Sequence, residues 1–115
     1  MGHPVQRRVK FLQLKEIRRS LIRLHILIAA TKQPLDNAVV WRLLHDCGFD
    51  LSLVSVRTIL RQFERQRHLI SGTSVRNGRS INVYTITAAG RIRAQEARKK
   101  VGNLIKMFGW GELCK

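Results

Sequence analysis

An Asn-Gly pair, Asn77-Gly78, sits between two stretches that read as strands and directly follows a segment with helical spacing. Asn-Gly is the strongest short hairpin signal, because a type I′ turn needs positive φ at both central residues. Leu69 to Val75 and Ser80 to Ile86 are the predicted strands, the second alternating Ile81, Val83, Tyr84 and Ile86 with Ser80, Asn82 and Thr85. The preceding segment has a different period. Val56, Ile59, Leu60 and Phe63 recur at three and four residues, which is one face of an α-helix. A chain that switches from period 3.6 to period 2 at this point must attach a β-hairpin to a helical core.

The same reading supplies the other elements. Leu14, Ile17, Leu21, Leu24 and Ile28 form a helical stripe, widened by Ile22, Ile26 and Leu27, with Lys15, Arg18, Arg19 and Arg23 on the other side. Pro34 disfavours helix at Gln33, so this helix is expected to stop near Thr31 or Lys32. Asp36 is the predicted N-cap of a second helix over about 37–47, with Val39, Val40, Leu43 and Leu44 buried and Gly48 as its stop. Ser52 caps the third helix, expected to end near Arg67 or His68, and Thr87 caps a last one running from Ala88 to about Lys100 or beyond. The expected organisation is a basic N-terminal arm over 1–13, a folded domain over 14–100, and an apolar tail over 101–115 that could pair two subunits. The tail holds Leu104, Ile105, Met107, Phe108, Trp110 and Leu113, interrupted by Gly102, Gly109 and Gly111.

Charge narrows the partner. The chain has 115 residues, 22 Lys and Arg against 7 Asp and Glu, and a formal net charge of +15. Apolar residues make up 44%, enough for a core. A folded module with that surplus points to a polyanion, with nucleic acid ahead of an anionic membrane. Arg outnumbers Lys 15 to 7, and its planar fork suits phosphates and guanine edges. No apolar run approaches the ~18 residues of a spanning helix, and the polar, basic residues 1–10 do not read as a signal peptide. A cytoplasmic protein with reduced thiols is expected. Cys47 and Cys114 lie far apart with no CxxC spacing, and His25, His45 and His68 have no ligand spacing, so no metal or cofactor is expected. Cys47 is expected to be a buried filler and Trp41 a core or partner contact. No nucleophile motif exists among the scattered acids, so no catalytic residue is expected.

The second and third helices are joined by a link of about four residues, the spacing of a helix-turn-helix. A helix of about 10–12 Å diameter fits a DNA major groove about 12 Å wide. A basic hairpin tip beside it would reach an adjacent minor groove or phosphates.

At this point the sequence resembles the winged helix-turn-helix regulators, of the MarR-like and PadR-like kind. Ser55-Val56-Arg57-Thr58-Ile59-Leu60-Arg61-Gln62-Phe63-Glu64, followed by Leu69-Ile70, looks like the recognition helix and strand entry of these families. Tyr84-Thr85-Ile86-Thr87-Ala88-Ala89-Gly90-Arg91 looks like their exit from the wing. The chain departs from the pattern at Arg67-His68, where the families often carry a glycine and one fewer residue.

The resemblance implies an α+β, mostly α fold: a three-helix core, a β-hairpin wing and a C-terminal helix. It implies a non-enzymatic transcriptional regulator that binds double-stranded DNA, with helix 52–67 in the major groove, wing 69–86 on the adjacent groove or backbone, and a homodimer as the working form. Ser55, Arg57, Thr58, Arg61 and Gln62 would face the groove. Ser52 would meet a phosphate at the helix N-terminus. Arg76, Asn77 and Arg79 would be wing contacts. Arg65, Arg18 and Arg19 would touch phosphate or solvent. The alternatives are an RNA-binding or ribosome-associated winged helix, an architectural or replication-linked DNA binder of a mobile element, and a module that meets an acidic protein.

Overall fold

The computed structural model describes the backbone of residues 4–108 and the side chains of 15–107. Its order is α1 (Pro4–Lys32), α2 (Asn37–Asp46), α3 (Leu53–Arg65), β1 (Leu69–Arg76), β2 (Arg79–Ile86) and α4 (Ala88–Phe108). The predicted three-helix core, hairpin and C-terminal helix are all present.

The helix boundaries follow from local chemistry. Asp36 accepts a hydrogen bond from the Val39 N–H at 2.8 Å and caps α2. At its other end Gly48 N bonds His45 O at 3.0 Å and Phe49 N bonds Leu44 O at 2.8 Å. This is the Schellman stop, with Gly48 at φ +88. Ser52 caps α3 by accepting from the Ser55 N–H at 3.1 Å. The far end of α3 repeats the stop: Arg67 N bonds Glu64 O and His68 N bonds Phe63 O, both at 2.9 Å. Here the left-handed position, φ +62, belongs to Arg67 rather than a glycine. At the position where the resembled families often carry a glycine, this chain thus has an arginine in the left-handed conformation.

β1 and β2 pair antiparallel in register Leu69↔Ile86 through Arg76↔Arg79. That leaves the two-residue turn Asn77-Gly78, with φ +54 and +76, as the type I′ geometry requires. A third strand segment escapes the sequence pattern. Leu35 and Tyr84 exchange backbone hydrogen bonds of 2.9 and 2.7 Å, anchoring β2 to the link between α1 and α2. Thr87 caps α4, accepting from Gly90 N at 2.9 Å while donating to the Arg67 carbonyl at 2.7 Å.

The core lies where α1, α2, α3 and the base of the hairpin meet. Ile26, Leu35, Val40, Leu44, Val56 and Leu60 are fully buried there, with Phe63, Leu69 and Tyr84 around them. α1 contributes Ile22, Ile26, Leu27 and Ala30 to this cluster. From the stripe the sequence emphasises, Ile17 and Leu24 are buried outside the cluster, Leu21 and Ile28 are half-buried, and the Leu14 side chain lies outside the described residues. The reason is that α1 has two partners. α4 runs back along it, so that Lys100 meets Glu16 at 3.5 Å and Arg93 lies near Leu27.

Three expectations are corrected. The backbone of 4–13, expected as an arm, is the start of α1, with Pro4 at the first helical position where its missing N–H costs nothing. Residues 101–108 of the expected tail are the last two turns of α4, while Trp110, Leu113 and Cys114 lie outside the described residues. Cys47 is exposed, because it forms the C-cap of α2, three residues past the core-facing Leu44. Trp41 is half-buried against the core and stacks on His45 at 5.0 Å between centroids. Among the described residues no helix is long and apolar enough to cross a membrane.

Candidate nucleic-acid interface

α3 divides cleanly into two faces. Val56, Leu60 and Phe63 point into the core, each 1% exposed or less. Arg57, Thr58, Arg61, Gln62 and Arg65 are all exposed. The helix is fixed by its apolar side and capped at both ends, so the outer residues stand on a rigid element. Arg57, Arg61 and Arg65 have no acidic partner among the described residues. Three guanidinium groups thus stand exposed along one helix with no acidic partner among the described residues.

The other expected site residues have partners. The Ser52 hydroxyl donates to Ser55 Oγ at 3.1 Å while accepting the capping bond, and Ser55 is half-buried. Thr58 Oγ1 donates back to the Val54 carbonyl at 3.0 Å. Gln62 Oε1 accepts from Arg23 Nη1 at 3.0 Å. That arginine also lies over the Phe63 ring, 4.5 Å from its centroid. Burial, then the charges of Arg93 and Arg19, lowers its pKa from the ordinary arginine value. Arg18 similarly stands over Phe49 at 5.8 Å. Arg18, expected to touch phosphate or solvent, and Arg23 are thus each a lid on an aromatic ring.

The hairpin tip is pinned elsewhere. Arg76 Nη1 lies 3.0 Å from Asp36 Oδ2, the carboxylate that caps α2. Asn77 and Arg79 are exposed, and Arg79 has no acidic partner among the described residues. The start of β1 is tied to α3 by a hydrogen bond from the Ser71 hydroxyl to Glu64. The structure thus gathers Ser52, Ser55, Arg57, Thr58, Arg61, Gln62 and Arg65 on one helix. It sets Arg76, Asn77 and Arg79 at a tip braced against α2.

The Asp36 arrangement makes a prediction. Asp36→Ala removes the cap and the ion pair together and is expected to cost about 1–2 kcal/mol of unfolding free energy. Asp36→Asn keeps a good cap and is expected to cost under about 1 kcal/mol, since the pair is exposed on the Arg76 side. Denaturant unfolding of both variants measures the difference.

His68 lies between α3 and the wing, and its pKa is depressed. Burial first, then the neighbouring Arg93 and Arg23, lowers it below the ordinary 6.5, with Glu96 opposing weakly. Its Nδ1 is buried without a hydrogen-bond partner. The unfolded chain therefore binds the proton more readily than the folded one. Stability is expected to be full above about pH 6.5 and to fall as the pH drops from there toward the depressed value. His68→Gln should flatten that part of the curve in thermal unfolding measured between pH 5 and 8.

One outer-face residue was not singled out by sequence: Val54, 69% exposed in the first turn of α3. Its spacing of four and seven residues from Thr58 and Arg61 carries the signal, masked there by its apolar type. No three His, Cys, Asp or Glu side chains cluster as a metal site among the described residues.

Known proteins share this architecture. The transcriptional regulator Rv3488 of Mycobacterium tuberculosis is 30% identical over 93 residues, spanning 81% of this chain and 87% of that protein. The crystal structure of TA0346 from Thermoplasma acidophilum is 28% identical with a TM-score of 0.59, covering 80% of this chain and 95% of the other. A PadR family transcriptional regulator from Eggerthella lenta superposes with a TM-score of 0.69 over 96% of each chain at 21% identity. No family model matches the chain.

Proposed function

Because the chain belongs to the PadR-like winged-helix transcriptional regulators, a non-enzymatic class, we propose that it binds double-stranded DNA sequence-specifically and controls transcription in the cytoplasm, at the nucleoid. The observation that carries this reading is the outer face of α3, where Arg57, Arg61 and Arg65 stand exposed, with no counter-charge among the described residues, on a helix rigidly seated by its other side. α3 enters the major groove. Arg57 or Arg61 grips a guanine through O6 and N7, a contact that discriminates by about 1–3 kcal/mol. Gln62 can take an adenine only by releasing Arg23, so it is a weaker candidate than the arginines. Arg79 and Asn77 at the wing tip meet phosphates or the adjacent minor groove. Arg76 joins them only if it exchanges Asp36 for a phosphate. Ser52 and the free amides at the start of α3 favour a phosphate there.

The working form is a homodimer. α1 and α4 run antiparallel and continue past the three-helix core to Pro4 and Phe108. Leu21, Ile28, Leu104 and Ile105 are only half-buried, and Met107 is 70% exposed. Pairing two such helix pairs covers this apolar surface and sets two copies of α3 one DNA turn apart, about 34–36 Å.

Selection from a random duplex pool tests the function. The expected result is an enriched two-fold symmetric site with half-sites about 10 bp apart. A pool that stays random while binding remains tight would overturn sequence-specific recognition and favour an architectural role. Sedimentation at micromolar protein is expected to give a dimer, and a monomer alone would remove the pairing.

A further inference from the structure

Val54, Thr58, Arg61 and Arg65 are spaced four, three and four residues apart, so they form one stripe of α3. This stripe lies opposite the core-facing Val56, Leu60 and Phe63. Its C-terminal half is cationic, but its N-terminal half is not. Val54 presents a branched apolar side chain to the outside, at 69% exposure. Thr58, one turn on, has turned its hydroxyl back to the Val54 carbonyl at 3.0 Å. The hydroxyl is engaged by the backbone, so the methyl branch is what Thr58 offers outward. The isopropyl of Val54 and the methyl of Thr58 therefore make a small apolar patch, with Arg57 beside it and Arg61 one turn further along.

A face that served only to hold phosphates has no use for such a patch. On the edges of base pairs in the major groove, the one apolar group is the C5-methyl of thymine. We infer that Val54 and Thr58 form a thymine-methyl reader, which fixes a T·A pair in the target next to the bases reached by Arg57 and Arg61. The inference rests on the duplex-DNA reading above and deepens it. Leu53, 50% exposed, is not part of the patch, because it sits about 100° round the helix from Val54.

The test uses the full chain and the site obtained by duplex selection. Each thymine of that site is replaced singly by deoxyuridine, which removes the methyl group and leaves the pairing edge intact. Fluorescence anisotropy at fixed salt then gives the affinity. At one or two positions per half-site the wild type is expected to lose affinity about three- to fivefold, the worth of one buried methyl group. Val54→Ala and Thr58→Ser should already show that loss on the unmodified site and lose little more on deoxyuridine. Both positions are exposed, and Thr58→Ser keeps the bond to Val54, so circular dichroism should confirm unchanged folding. Selective binding with no thymine whose methyl matters, or undiminished deoxyuridine sensitivity in Val54→Ala, would overturn the reader while leaving sequence-specific recognition standing. Equal affinity for selected and scrambled duplexes would overturn both.

Discussion

Gly90→Ala is expected to destabilise the domain by about 3 kcal/mol, the upper end of the cost of forcing extra volume into a packed site. Gly90 is buried in the first turn of α4, and a methyl group there would collide with the His68 carbonyl oxygen and approach Ile86 Cγ1 at 2.7 Å. Neither obstacle can swing away. The His68 carbonyl accepts from Thr87 N at 3.1 Å and from Thr87 Oγ1 at 3.2 Å, so moving it breaks the cap of α4. Ile86 pairs with Leu69 at the base of the wing. A side chain at position 90 therefore pushes α4, the wing and the end of α3 apart at the point where they join. Gly102, in the same helix, has open space where its Cβ would lie. Gly102→Ala is expected to raise stability by about 0.5–1 kcal/mol through helix propensity. Denaturant melts of the two variants decide the matter; similar values for both would mean that the junction is loose.

The second large effect is on binding. Arg61→Ala is expected to lose about 1–3 kcal/mol on the selected site and to relax preference at one base pair. Arg61 lies on the outer stripe, is exposed, and has no acidic partner among the described residues to release. Arg79→Ala should weaken all duplexes alike and lower the salt slope by about 1, as removal of a single phosphate contact does. The two arginines thus separate by signature rather than by size. Equal, sequence-independent losses for both would mean that α3 grips the backbone and reads no base.

Much of the fold could be read in advance because its signals are local. Asp36, Ser52 and Thr87 cap the helices that follow them, as their side chains dictate. Asn77-Gly78 fixes the hairpin register through its own backbone angles. What escaped is non-local. Leu35 looks like a link residue until Tyr84 arrives to pair with it. The two faces of α1 cannot be told apart until it is known that α4 packs along one of them. Cys47 looks like core by its type, and only its place at the C-cap exposes it. The candidate interface divides in the same way. Helical period alone puts Arg57, Arg61 and Arg65 outside. The engagement of Gln62 by Arg23 and of Arg76 by Asp36 spans 39 and 40 residues of sequence, and no pattern announces it. Val54 escaped for the opposite reason: its position was legible, but an apolar residue on an outer face draws no notice until its exposure is known.

The most direct test of a major-groove role for α3 is competition at fixed salt against a labelled duplex of the selected sequence. A-form RNA has a deep, narrow major groove that a helix of this width cannot enter. The unlabelled DNA of the same sequence is expected to displace the label, while the equivalent RNA duplex and a scrambled DNA compete about a thousandfold less well. Displacement by the RNA duplex at the same concentration as by the DNA would contradict the account.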